Sequence, residues 1–257
     1  MLIFFQTGGP GSLPEAVRCA KRHVRDIAVV SDRDYLYEST IQRIAHREVC
    51  EMDSQFDAVY RHRSPCAPQF ETICIRRWFS IRRAMRLLGV SRAFCADSDC
   101  LVCCEPLTQP QVQGASLALS TAEPGTTCTA GMSVQTELSL GLFEQLAFSR
   151  FFQDGMHERY DSTDMGIWTA LVREWGPGVA FGWSEMNRVM DGCVFDHHLG
   201  VTSGFQSGPD GGKSLHFRGG YPYTKTLDGA EVRLCAMHCW QKWKPKMAQY
   251  NLEMERS

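Results

Sequence analysis

The sequence predicts an α/β fold, a sheet flanked by helices, and three observations carry the prediction. Residues 2–32 run through an apolar stretch, a glycine turn, an amphipathic stretch and a second apolar stretch. A long segment with helical spacing follows at 70–89, and the next apolar run, "AFCADSDCLVCC", holds two carboxylates near its middle. Strands alternating with helices in this order mark a β-α-β unit with parallel strands.

Taken in order, "LIFFQ" reads as a buried strand and "TGGPGS" as a turn. "LPEAVRCAKRHV" has helical spacing with Pro14 near its start, a position that suits a residue lacking an N–H. "IAVVSD" is the second strand, and no G-x-G-x-x-G fingerprint accompanies it. "FETICIRRWFSIRRAMRLLG" is a long helix closed by Gly89, with Phe70, Cys74, Trp78, Ile81, Met85 and Leu88 as its buried stripe. Arg76, Arg82, Arg83 and Arg86 fall off that stripe and read as a solvated face, whereas Arg77 borders the core. An inward arginine needs an anionic partner, either a structural carboxylate or a ligand phosphate. Beyond the carboxylate-bearing run, "ASLALST" is a further strand and "TELSLGLFEQLAFSRFF" a further helix. "DSTDMGIWTALVREWG" reads as a helix capped by Asp161 or Ser162, with Asp164 in its first turn. The last third reads as irregular strands and loops around "VFDHHLGV", "SLHFRGGYPY" and "LCAMHCWQKWKPKM". No repeat or linker interrupts the 257 residues, so a single domain is expected.

The D-x-D at Asp97, Ser98 and Asp99 allows two readings. On one continuous strand the two carboxylates share a face, and their repulsion calls for a cation between them. Alternatively the strand ends at Asp97, and Ser98 and Asp99 form a solvated turn. Because the apolar run resumes as "CLVCC", the pair is expected inside a buried region, at the carboxyl edge of a sheet where α/β folds bind ligands.

Net charge −2 argues against general nucleic-acid affinity, which rests on basic patches. Twelve cysteines set in apolar runs fit reduced, buried thiols in a cytoplasmic protein better than a disulfide framework. The first residues lack the basic flank of a signal peptide, and no run approaches the roughly 20 apolar residues that span a bilayer. "SGPDGGKS" departs from a P-loop at Ser207 and lacks a following helix. Cys100, Cys103, Cys104, Cys235 and Cys239 could be zinc ligands, but alternate and adjacent cysteines on a strand point to opposite faces. The C-terminal "MHCWQKWKPKM" offers His238, a ligand type suited to Mn²⁺ or structural packing beside Trp240 and Trp243, and Lys244 as a phosphate-binding group.

"RRWFSIRRAMRLLGVSRAFCADSDCLV", "DSTDMGIW" and "MHCWQKWKP" together resemble the GT-A glycosyltransferases. The ending is similar to the H-x-x-G-x-x-K-P motif of glycosyltransferase family 8, with His238, Lys244 and Pro245 in place and Gln241 where the motif has glycine. This resemblance implies a Rossmann-like GT-A fold, a mixed sheet flanked by helices. It implies a metal-dependent transfer from a nucleotide sugar, most readily a UDP-sugar, to a glycan, protein or small-molecule acceptor, with retention of configuration. Asp97, Asp99 and His238 would hold Mn²⁺ or Mg²⁺, and Lys244 would contact the diphosphate. Thr7, Gly8, Gly9, Asp32 and Ser98 would lie near the nucleoside, while Arg77 and Asp164, or Asp161, would serve the sugar or the acceptor. Two rival readings are a catalytically silent sugar-nucleotide-binding protein on the same fold and a phosphatase whose D-x-D supplies a nucleophile.

Overall fold

The computed structural model of the chain describes residues 1–9, 11–33, 39–64, 66–121, 128–152, 163–175 and 182–257. Among them the elements run β1 (Leu2–Gln6), α1 (Leu13–Ala20), β2 (Ile27–Ser31), β3 (Gln42–Ala45), α2 (Asp53–Val59), α3 (Pro68–Leu87), β4 (Arg92–Asp97) and β5 (Cys100–Val102). They continue as β6 (Leu117–Thr121), β7 (Cys128–Thr136), α4 (Glu137–Phe152), α5 (Asp164–Trp175), β8 (Trp183–Glu185) and β9 (Cys193–Asp196). The chain closes with β10 (His216–Arg218), β11 (Tyr221–Lys225), β12 (Glu231–His238) and α6 (Met247–Arg256).

Two sheets organise the molecule. The larger has seven strands in the order β3-β2-β1-β4-β7-β6-β8. Its first four strands are parallel, β7 runs antiparallel to both β4 and β6, and β8 is parallel to β6, so the α/β sheet is mixed as expected. The smaller has five strands, β10-β11-β12-β5 with β9 alongside β12. It replaces the irregular last third that the glycine-rich sequence suggested. Glycine weakens a strand pattern, yet β12 pairs on both sides and orders that region.

Period-two alternation assigns the two faces of the large sheet. Ile3, Phe5, Ala93 and Cys95 join Trp78, Phe79, Phe143 and Trp168 in a core beneath α3, α4 and α5. Leu2, Phe4, Phe94 and Ala96 face the other way, into a core with α1, α6 and the small sheet. Burial on both faces explains why β1 is apolar without interruption.

Helix α3 ends as its sequence predicts. Gly89 takes φ +65°, its N–H donates to Arg86 O at 3.1 Å, and Val90 N–H donates to Met85 O at 3.0 Å. These paired bonds satisfy the last carbonyls of the helix. Its stripe is rotated from expectation at the start: Phe70 is 61 % exposed, while Glu71, one turn before Ile75, is 2 % exposed. Its arginine face is left to solvent only at Arg86, which is exposed. Arg83 is buried between Glu144 at 2.5 Å and Glu51 at 2.9 Å, and Arg82 and Arg86 both reach Glu137. Periodicity identifies a polar face, but not whether an acidic helix docks on it; here α4 does.

Among the described residues no helix is long and apolar enough to cross a membrane.

Candidate functional site

The D-x-D is a corner between the sheets. β4 ends at Asp97, Ser98 and Asp99 turn, and β5 opens at Cys100 in the other sheet. The single-strand reading is therefore corrected, and so is the solvated-turn reading, because Asp99 is only 5 % exposed. Asp97 continues the period of Ala93 and Cys95 toward the α3 face, whereas Asp99 belongs to the small-sheet side.

On the large-sheet side the inward Arg77 finds two structural carboxylates. Its Nη1 donates to Asp97 Oδ1 through a very short contact, and its Nη2 donates to Asp164 Oδ2 at 2.7 Å. Trp78 Nε1 donates to the same Asp164 oxygen at 3.2 Å. Behind them lies Glu71, whose Oε1 accepts from Asp164 N–H at 3.1 Å and whose Oε2 accepts from Ser64 Oγ at 3.0 Å. Burial and the like charge of Asp164 push Glu71 above its usual range. Burial, offset in part by Arg77, also pushes Asp97 up, and the charge of Asp99 adds to this. Asp164 shares the start of α5 with Thr163: Thr163 Oγ1 accepts from Gly166 N–H at 2.9 Å and Asp164 Oδ1 accepts from Met165 N–H at 2.9 Å, while its Oδ2 serves Arg77. Asp161, the second choice for the role of Asp164, lies outside the described residues, as does Ser162.

On the small-sheet side a β ladder joins distant parts of the chain. His238 lies opposite Cys100 in the β5–β12 register, and Cys239 N–H donates to Asp99 O at 2.8 Å. His238 Nε2 stands 3.3 Å from Asp99 Oδ1, and Lys244 Nζ stands 2.7 Å from Asp99 Oδ2. Burial alone would raise Asp99, but His238 and Lys244 outweigh it and hold the carboxyl far below its usual range. Burial likewise opposes the proton on His238, and Asp99 reverses that effect and raises the imidazole. His238 Nδ1–H donates to His197 O at 2.7 Å, so Nε2 is the nitrogen turned toward Asp99.

One oxygen of Asp99, the Cys100 sulfur and one nitrogen of His238 lie within 4.8 Å of one another and could hold a metal ion. Within this group the thiol is held protonated, since burial and then the charges of Asp99 and Asp97 push it well up. Its Sγ–H donates to Gly131 O at 3.3 Å. Carboxylate, imidazole and, where a cation displaces its proton, the thiol are the donors of this group. Asp97, expected as a ligand, stands beside the group, with Oδ1 taken by Arg77. Its Oδ2 lies across Gly131, where a Cβ would come within 3.5 Å of that oxygen and 2.9 Å of His238 Cε1. Only glycine leaves this space open between the two sides of the corner.

Lys244 is presented by a 3₁₀ turn, Gln241–Lys246. The Trp243 indole anchors it between Gly200 and Gly212, where added Cβ atoms would approach to 2.4 Å and 2.9 Å. His198, rather than His238, packs edge-on against Trp240 and Trp243, at 5.3 Å and 5.6 Å. Gln241 adopts φ +51°, a left-handed conformation that glycine takes without penalty.

At the neighbouring sheet edge Asp32 accepts from Gly8 N–H at 2.9 Å and 3.1 Å, tying the turn after β1 to the end of β2. Phe5 is in register with Asp97, so Thr7, Gly8 and Gly9 leave the sheet beside Ser98. A cavity of about 180 Å³ adjoins this edge, lined by Ser31, Arg33, Arg43 and Arg47 among others.

All twelve cysteines are free. Cys103 packs on Cys19 at 3.7 Å, whereas Cys193 and Cys235 share Gln109 Oε1, so the five cysteines considered for zinc do not converge on one point. "SGPDGGKS" forms a turn followed by β10, and its Lys213 is buried against Asp196 at 2.7 Å.

Against known proteins, the chain matches no family profile and no curated sequence. Sequence reasoning missed Glu71, Thr163 and Gly131. Glu71 was legible as the residue one heptad before Trp78; Gly131 leaves no local signal, because its importance lies in what faces it.

Proposed function

We propose that the chain is a metal-dependent glycosyltransferase of the GT-A type. It would move a sugar from a nucleotide sugar, by preference a UDP-sugar, to a glycan, protein or small-molecule acceptor. The observation that carries this reading is the closure of the Asp97–Asp99 corner by His238 and Lys244 from the far end of the chain. Four parallel strands, β3-β2-β1-β4, continued by the reversed β7 support it, with the corner at their carboxyl edge where such sheets bind ligands. The left-handed Gln241 supports the likeness to H-x-x-G-x-x-K-P, since the motif's glycine suits that conformation.

Asp99 and His238 would hold Mn²⁺ or Mg²⁺, with Asp97 Oδ2 facing them across Gly131. Such an ion, when bound, supplies Lewis-acid stabilisation of the charge that develops on a departing diphosphate. The His197 carbonyl orients His238 by accepting from Nδ1, as outer partners of ligating imidazoles do. Lys244 would exchange Asp99 for the diphosphate. Arg77 and Asp164 would fix Asp97 and face the donor sugar, and Thr7, Gly8, Gly9, Asp32 and Ser98 would border the nucleoside. Retention of configuration follows from the family 8 likeness alone.

Thermal unfolding with UDP, UDP-sugars and other nucleotides, with and without Mn²⁺, tests the reading, because a ligand of the folded state raises Tm. UDP is expected to raise it only with metal, and EDTA is expected to stop slow UDP release from UDP-sugars. Metal-dependent binding without turnover would favour the silent binder. UDP release indifferent to EDTA would overturn the metal role.

A further inference from the structure

Three sulfurs meet where α1, α6 and the end of β5 pack together, and the proposed transfer reaction uses none of them. Cys19 Sγ lies 3.7 Å from Cys103 Sγ, and Cys103 Sγ lies 3.8 Å from Met254 Sδ. Cys103 leaves β5 at the end opposite Asp99, so the group stands apart from the corner between the sheets. Both thiols and the thioether are buried.

Their spacing fits one ion. A metal held at roughly 2.3 Å from each sulfur leaves neighbouring sulfurs about 3.8–4.0 Å apart, in tetrahedral or trigonal geometry. The two contacts at Cys103, 3.7 Å and 3.8 Å, are already near that length. Arg22 borders the remaining edge: its Nη2 is 3.8 Å from Met254 Sδ, and its charge acts on Cys19. The bond from Cys103 and then Arg22 hold the Cys19 thiol below its ordinary value, against the opposing effect of burial. Burial pushes Cys103 well up, so Cys19 gives its proton first. A bound cation displaces both thiol protons to solvent and keeps two thiolates and one thioether.

Ligand type narrows the ion. Zinc takes thiolate, imidazole and carboxylate, commonly four in all. Among the described residues, no carboxylate or imidazole joins Cys19 and Cys103 in a group of three within 4.8 Å. A thioether beside two thiolates is instead a soft donor set, which selects Cu(I). Hard cations keep water ligands, and a buried sulfur trio has no place for them. Entry needs only a local opening of α6, whose links to α1 are polar: Arg18 to Glu255 at 2.6 Å and Arg22 to Asn251 at 3.0 Å.

We infer that Cys19, Cys103 and Met254 form a Cu(I) site that clips α6 to α1 and to the end of β5. The site binds copper whether or not the corner binds a nucleotide.

Anaerobic titration with Cu(I), supplied as its acetonitrile complex in competition with bicinchoninate, tests the site. One equivalent is expected to pass to the wild-type chain and to raise Tm, because the folded state holds the ion. Scattered binding to cysteines of the unfolded chain would lower Tm instead. X-ray absorption at the copper edge is expected to show only sulfur neighbours, three in the wild type and two in Met254→Leu. Leucine keeps the apolar volume, and the Cu(I) affinity of that variant is expected to fall about tenfold or more. Cys103→Ala is expected to abolish retention. Cys235→Ala is expected to preserve it, because that thiol turns toward Gln109. Unchanged affinity in Met254→Leu, no rise in Tm, oxygen or nitrogen neighbours in the wild type, or copper lost from folded Cys235→Ala would each overturn the inference. So would Zn²⁺ that competes with Cu(I) on equal terms.

Discussion

On the large-sheet side of the corner, Asp97 meets a guanidinium that it shares with Asp164, and Glu71 stands behind that pair. On the small-sheet side, Asp99 meets an imidazole and an ammonium. The first set is tied into α3 and α5 at the edge of an aromatic core; in the second, the Lys244 side chain is 45 % exposed and hangs on one anchored turn. Two identical side chains two residues apart thus have different tasks. Arg77 ties Asp97 to the frame, while Asp99 holds His238 and Lys244, which on the proposed reading a cation and a phosphate would draw away. Breaking the first side should register mainly in stability, and breaking the second mainly in ligand binding.

The largest effect is expected from Arg77→Ala. Removing the cation leaves Asp97 and Asp164 uncompensated beside Glu71, which should cost about 3–5 kcal/mol in urea unfolding. A loss below about 1 kcal/mol would show that the large-sheet side is not the strut described here.

His238→Ala comes next. It should weaken Mn²⁺-supported UDP binding by about tenfold or more, equivalent to at least about 1.4 kcal/mol, with a smaller change in stability. His216→Ala is the control, because that histidine pairs with Glu231 on the surface and should leave binding unchanged. Lys244→Ala should weaken UDP but spare uridine, as the lysine answers only the phosphates. Equal losses from His238 and His216 would erase the contrast between the two sides.

A smaller gain is expected from Gln241→Gly. Relief of the left-handed strain, set against the greater freedom of unfolded glycine, should raise stability by about 0.5–1 kcal/mol in chemical denaturation. Destabilisation would mean that Gln241 makes a contact worth more than its backbone penalty.

The smallest expected effect is a pH dependence at Glu71. Its pKa is raised in the folded state by burial and then by Asp164, so its contribution is fully present below the unfolded value of about 4.3. That contribution is lost as pH rises through the folded value. Glu71→Gln should therefore gain on the wild type as pH rises from about 4 toward 7. Parallel stability curves for the two proteins would show that burial and Asp164 together do not raise this carboxyl.

Much of the frame was legible locally. "LIFFQ" and "IAVVSD" became paired parallel strands, and Gly89 closed α3 where a left-handed residue was required. Arg77 was legible as an inward cation in search of acids, yet its two partners come from β4 and α5, and no spacing rule names them. Phe70 misled because a hydrophobic residue on the stripe of a helix is buried only if the core extends that far. Glu71 was passed over for the converse reason: an acid on the stripe looks like surface until Asp164 N–H and Ser64 Oγ satisfy it.

By itself the sequence determined that Asp97 and Asp99 lie in a buried apolar run and that His238 and Lys244 are candidate ligand groups, because apolar patterning and residue chemistry are local properties. Only the tertiary structure decided that Ser98 turns the chain from one sheet into another. It also decided that Cys100 lies opposite His238 and that Gly131 leaves room between Asp97 and the imidazole. Those outcomes depend on strand register across more than a hundred residues of chain, and register is set by packing that no single segment contains.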